Sequence, residues 1–243
     1  MVSQIAAALL ALSAARAVLA AAPTPAAPAP AATPAVAKED KGDATALAGK
    51  VQKAYEGVKD LSASFAQEGV LKTAGKAGPK SSGQVWIARP GKMRWEFQKP
   101  DVKTFVSDGA TMWMFDGEEN QVIVNEHMAQ TSSVTALNFL QGLGKLQKDF
   151  SVAMTTAPAN AADAKAQFLL LKPKNEEDIQ VAQIVLGIDR KSSLAEEVFL
   201  IDQLGNTTHI AFTNVVLNKG VPAKTFTFEI PKGAQVIKPA LVQ

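Results

Sequence analysis

Few side chains in this 243-residue sequence are of a type and spacing that could carry out covalent chemistry. The two histidines, His127 and His209, lie far apart in the sequence. Neither neighbours another ligand type at metal spacing, and a zinc or facial-triad site needs three protein ligands. Each is expected to be a solvated or strand-surface residue. Glu118-Glu119 and Glu176-Glu177-Asp178 offer paired carboxylates for general acid–base work. Both pairs fall in turn-like stretches, where solvated charge is the ordinary explanation. No G-x-S-x-G elbow, Walker loop or H-E-x-x-H helix occurs. Cysteine is absent, which excludes disulfides, thiolate metal ligation and a lipidated-cysteine anchor. The expectation is a protein that is not an enzyme and uses no metal or cofactor.

What the chain does carry is apolar surface. All three tryptophans, Trp86, Trp95 and Trp113, fall between Gly83 and Val124 with Phe97, Phe105 and Phe115. The periodicity there is two. Met93, Trp95 and Phe97 share one strand face, and Arg94 and Glu96 take the other. Pro90-Gly91, Pro100-Asp101, Asp108-Gly109 and Asp116-Gly117 interrupt the pattern at hairpin spacing, because Asp-Gly favours positive φ. Four or five antiparallel strands in a meander follow. Thr111–Phe115 is apolar on both faces, with Met112 and Met114 opposing Trp113 and Phe115. One face must therefore meet helices or a ligand. Unbranched methionines suit a ligand of variable packing, and small-ligand sites are concave and mostly apolar.

The elements that must position this meander read in order. Ile5–Ala15 is an apolar run of signal-peptide length with small-x-small sites after it, so residues 1–22 are expected to be a cleaved leader. Residues 23–42 hold Pro23, Pro25, Pro28, Pro30 and Pro34 among alanines, a composition expected to form a disordered linker. The folded domain is then 43–243. Asp43–Val58 is amphipathic at helical spacing, with Leu47, Val51, Ala54 and Tyr55 on one face and Asp43 as N-cap. Leu61–Val70 alternates as a strand, and Ala74–Pro79 is a Gly/Lys loop. Val134, Leu137, Leu140 and Leu143 recur at helical intervals, making that segment the candidate cover over one mouth of the sheet. Further strands are expected near Phe150–Met154, Phe168–Lys172, Ile179–Ile188, Leu194–Ile201, Thr208–Leu217 and Thr225–Ile230. Ile184, Leu186 and Ile188 form one apolar face with Ala182, and Ile210, Phe212 and Val216 another.

About eleven strands with two or three helices make the class mainly β. A sheet of that width twists and leaves open edges, so it should curl into an unclosed antiparallel β-barrel with helices over its concave face. Formal net charge is +2 with Lys and Glu interspersed, so no concentrated basic face points to nucleic acid.

The string Trp86-x-x-Arg89-Pro90-Gly91-x-Met93-Arg94-Trp95, then Pro100, Ser107-Asp108-Gly109, Trp113, Phe115-Asp116 and Gln121-Val122, resembles the periplasmic outer-membrane lipoprotein carrier family (LolA). Leu61-x-Ala63-x-Phe65-x-Gln67 upstream and Phe226-x-Phe228-x-x-Pro231-x-Gly233 downstream extend the likeness across roughly residues 45 to 236. The resemblance implies a periplasmic carrier, monomeric and without enzymatic activity, that shields lipoprotein acyl chains between the inner and outer membranes. Its implied partners are an inner-membrane ABC-type lipoprotein-releasing complex and an outer-membrane lipoprotein receptor. It also implies that Arg89 sits at the cavity mouth and acts in lid closure, a task for which a guanidinium offers five donors in a fixed fork. Met93 occupies a position where the family often has a bulky apolar residue. The candidate cavity and lid residues are Arg89, Met93, Trp95, Phe97, Met112, Met114, Leu137 and Leu140. A periplasmic lipid- or lipoprotein-sensing regulator on the same fold is the alternative.

Overall fold

Turn chemistry lays out the sheet. Gly91 (φ 70°) and Gly109 (φ 101°) take the positive φ their turns need. Asp108 Oδ1 accepts the Ala110 and Thr111 amides at 2.8 Å each, closing the hairpin that holds Gly109. The computed structural model describes residues 41–72, 76–98, 102–126, 146–174 and 181–238. Helix α1 (Lys41–Glu56) comes first, followed by β1 (Asp60–Leu71), β2 (Lys76–Ala88), β3 (Lys92–Phe97), β4 (Lys103–Asp108), β5 (Met112–Asp116) and β6 (Gln121–Asn125). After a short helix α2 (Leu146–Asp149) come β7 (Phe150–Thr155), β8 (Gln167–Pro173), β9 (Gln183–Ile188), β10 (Ala195–Ile201) and β11 (Thr207–Leu217). A 3-10 turn (Ala223–Phe226) and β12 (Gln235–Ile237) complete the described elements.

All twelve strands form one sheet, in the order β12-β6-β5-β4-β3-β2-β1-β11-β10-β9-β8-β7. It is curved and unclosed, as the sequence predicts, with β12 and β7 as its two edges. The number agrees with the expected count of about eleven, though β12, a three-residue strand that pairs with β6 in parallel, was not among the expected strands. Neighbouring strands elsewhere are antiparallel, and β1 joins the two halves by pairing with β2 and β11.

The period-two pattern decides which residues go inside. Ala63 and Phe65 of β1, Val85 and Ile87 of β2, and Ile184, Leu186 and Ile188 of β9 point to the concave side. There they pack with Leu47, Val51 and Tyr55 of α1, forming the main core. Gly83 lies where β2 passes Phe65; a Cβ at this position would run into the Phe65 ring and the Glu96 carbonyl.

The structure corrects several expectations. The helix starts at Lys41, so Asp43 lies in its first turn, where an acidic side chain suits the macrodipole, instead of at the N-cap. β2 begins at Lys76, which takes up most of the expected Ala74–Pro79 loop. Thr225–Ile230 is not a strand. It belongs to an irregular strap over the convex face, with Phe226 buried and Phe228 against Trp113 and Phe115 at ring separations of 6.2 and 6.3 Å. Arg94 Nη1 donates to the Thr225 and Thr227 carbonyls at 3.3 Å each and holds the strap down. Phe-x-Phe alternation reads as a strand, but here it serves to cover an apolar outer face. Val216 is exposed and lies opposite Ser62, because a register shift and the positive φ of Asn214 (54°) form a bulge that reverses the alternation. Leu217 takes the inward position in its place.

Candidate ligand-binding face

The meander brings together most of the predicted site. Met93, Trp95 and Phe97 occupy alternate positions of β3, and Met112 and Met114 alternate on β5. All five are buried on the concave face, in one continuous apolar cluster with Phe65, Phe105 and the inner side of α1. The aromatic rings pack edge-on or tilted. Phe65 lies 4.8 Å from Trp95 and 4.9 Å from Phe97, and Phe97 lies 5.8 Å from Phe105. Trp113 and Phe115 face the other way, under the strap. Leu137 and Leu140, with the helix expected around Val134–Leu143, lie outside the described residues.

Arg89 follows the last residue of β2 and precedes a cis bond to Pro90. The turn that carries it is tied at two points. The Arg89 amide donates to Lys59 O at 2.9 Å, and Ser107 Oγ donates to Gly91 O at 3.0 Å from a fully buried position. Arg89 is half-buried beside Tyr55 and Glu56, at the last turn of α1. Burial lowers its pKa from the ordinary value, and proximity to Tyr55 and Glu56 works the other way. A cation at this position complements the helix C-terminus. Tyr55 is itself buried, its hydroxyl accepting the Ala195 amide at 3.2 Å. Burial pushes its pKa up to about 12, against smaller lowering from that hydrogen bond and from Arg89. The helix end, the Arg89 turn and the start of β10 therefore meet at one point on the rim.

His209 departs from expectation. It is buried, stacked on Phe199 at 4.2 Å, with Nε2 2.8 Å from Glu197 Oε2. The loop between β7 and β8 roofs it. Glu197 accepts the Ala162 and Asp163 amides at 2.8 and 3.1 Å, and Asn160 donates to Glu68 at 3.1 Å. That last bond, more than the nearby Lys80, holds the Glu68 carboxyl below its usual range. A pocket of about 390 Å³ beside these groups is lined by Glu68, Lys80, Ser82 and His209. The charges there satisfy one another and pin a loop. No signal in the sequence joins residues so far apart. His127 and Glu176-Glu177-Asp178 lie outside the described residues. Glu118 and Glu119 donate their amides to Asp116, as ordinary turn residues do. Among the described residues no group of three His, Asp or Glu side chains could hold a metal ion, and no helix is long and apolar enough to cross a membrane.

Comparison with known proteins bears on what this face does. The family model described as "Outer membrane lipoprotein carrier protein LolA" matches residues 56–229. The outer-membrane lipoprotein carrier protein of Dechloromonas aromatica is 34% identical over 196 residues, covering 79% of this chain and 89% of that one. Its counterpart from Cupriavidus pinatubonensis is 35% identical over 204 residues, covering 80% and 90%. The Chromohalobacter salexigens protein is 30% identical over 205 residues, covering 84% and 91%. An uncharacterized conserved protein from Thermus thermophilus, solved as a crystal structure, aligns at TM-score 0.49 and 13% identity, covering 80% of this chain and 98% of that one. With a family match across the sheet from the end of α1 to the strap, and relatives this similar over most of their length, the chain belongs to the outer-membrane lipoprotein carrier (LolA) family.

Proposed function

We propose that this chain is a periplasmic carrier that takes the acyl chains of lipoproteins against the concave face and hands them from the inner to the outer membrane. The observation that carries this reading is the placement of Met93, Trp95, Phe97, Met112 and Met114 on that face, in a chain of this family. The sheet is unclosed, so uncovering this buried face breaks no barrel closure. Each methylene moved from water to such a wall contributes roughly 0.8 kcal/mol, so a few acyl chains are held firmly yet remain exchangeable against a second apolar site. Shielding of this kind needs no covalent step, and the protein acts as a non-enzymatic monomer. Arg89 serves at the mouth as a closure residue, and Leu137 and Leu140 belong to its cover. An inner-membrane ABC-type releasing complex loads the carrier, and an outer-membrane receptor unloads it. Residues 1–22 are a removable leader, 23–42 a linker and 43–243 the working domain. The alternative role, a lipid-sensing regulator, has less support, because the relatives described above carry the carrier description.

Native mass spectrometry of protein released from the periplasm tests the whole reading in one spectrum. The polypeptide mass should begin between Val18 and Pro23, and a fraction should carry lipid or acylated protein. A chain retaining Met1, or one that never carries an acyl ligand, would defeat it.

A further inference from the structure

Trp95 holds a buried polar atom left unsatisfied: its indole Nε1–H is enclosed and has no hydrogen-bond partner among the described residues. Buried polar groups are nearly always paired, so an orphan donor calls for a cause. The side chain is 1% exposed and stands on β3 between Val85 and Phe105 in register. Its ring packs on Phe65 at 4.8 Å and Phe212 at 6.0 Å, so its immediate wall is aromatic. A phenylalanine would fill such a wall without stranding a donor.

The chemistry of the missing partner follows from what an indole can do. It only donates, so the partner must accept. A carboxylate would bring an uncompensated charge into an apolar wall, which is far costlier than the orphan itself. A hydroxyl or amide would bring a second donor that Trp95 cannot satisfy. A neutral group that only accepts is left, and an ester carbonyl is one. We propose that Trp95 Nε1–H donates to the ester carbonyl at the head of a bound fatty chain, making Trp95 a specificity-determining residue for ester-linked acyl ligands. This deepens the carrier reading and rests on it.

The test compares a diacylglycerol with its dialkyl-ether analogue, each displacing a fluorescent fatty-chain probe from the purified protein. The two competitors differ in the carbonyls and share the chains. Wild type should bind the ester about three- to tenfold more tightly, the range of one neutral hydrogen bond. Trp95→Phe should lose the ester preference and bind both competitors equally. Trp113→Phe, on the opposite face, should keep the ester preference. If Trp95→Phe does not fold, replacing the Trp95 indole by its benzothiophene isostere removes the N–H and keeps the shape. Equal affinities in wild type overturn the inference and leave the carrier reading intact, as does an ester preference that survives in folded Trp95→Phe. Failure of both competitors to bind wild type defeats the carrier reading and, with it, this assignment.

Discussion

Arg89 and Tyr55 meet where α1 ends, and each makes a measurable claim. Charge-assisted hydrogen bonds contribute about 1.5–3 kcal/mol. If Arg89 holds the empty mouth shut, Arg89→Leu raises the open fraction, and apparent affinity for a hydrophobic probe should rise by about tenfold while transfer to acceptor vesicles slows. Arg89→Lys should fall between, since an ammonium keeps the charge and loses the fork. Unchanged affinity and transfer in a folded Arg89→Leu protein would reduce Arg89 to a rim cation. Tyr55 is the only tyrosine of the chain, so its ionisation can be followed by ultraviolet absorbance. The unfolded side chain ionises at its ordinary value of 10.0, whereas the folded one keeps its proton until about 12. Between these values the unfolded state has released the proton that the folded state holds. Stability should therefore fall as pH rises through this window, with a slope of up to about 1.4 kcal/mol per pH unit from this group. Tyr55→Phe should lose roughly 1 kcal/mol near neutrality and show a shallower decline in alkali, measured by denaturant titration at each pH. At this scale the sequence was a partial guide. Arg89 stands out through its Pro-Gly turn, but the burial of His209 depends on a loop some fifty positions earlier and leaves no local trace.

Strands with strict alternation and Asp-Gly turns are legible element by element, because each residue's face follows from its neighbours. Elements shaped by distant contacts are not. The bulge at Asn214 reverses inside and outside within one strand, and the strap has the alternation of a strand without a partner to pair with. The strap's contribution can be measured. Phe226 is the buried anchor of the strap, in a 3-10 turn that packs against β3 and β4; Val106, Val122 and Val124 are likewise buried without joining the concave core. Phe226→Ala should cost about 3–5 kcal/mol in urea denaturation. Trp113 emission should shift to the red as Phe228 loses its seat, and probe binding on the concave side should survive in the fraction that stays folded. A loss below about 1 kcal/mol would show that the strap is an accessory and not a second core.

Across the whole molecule, curvature divides the labour between two faces. The concave side gathers one large cluster from α1, α2 and ten strands, while the convex side is covered piecemeal, by the strap on one half and the β7–β8 loop on the other. The class and the curl follow from strand number and twist, and so were available from the sequence; which stretch covers which outer patch was not. The position of β1 has a further consequence, in time. Leu61 pairs with Leu217 in the middle of the sheet, and Val122 of β6 pairs with Val236 of β12. Until β11 has emerged, β1 has a neighbour on one side only, and no strand pairing joins the two halves. Contacts this distant in sequence make folding slow. A sheet whose halves are joined in pairing only by its eleventh strand is completed late, so its refolding should be slower than hairpin formation within either half alone.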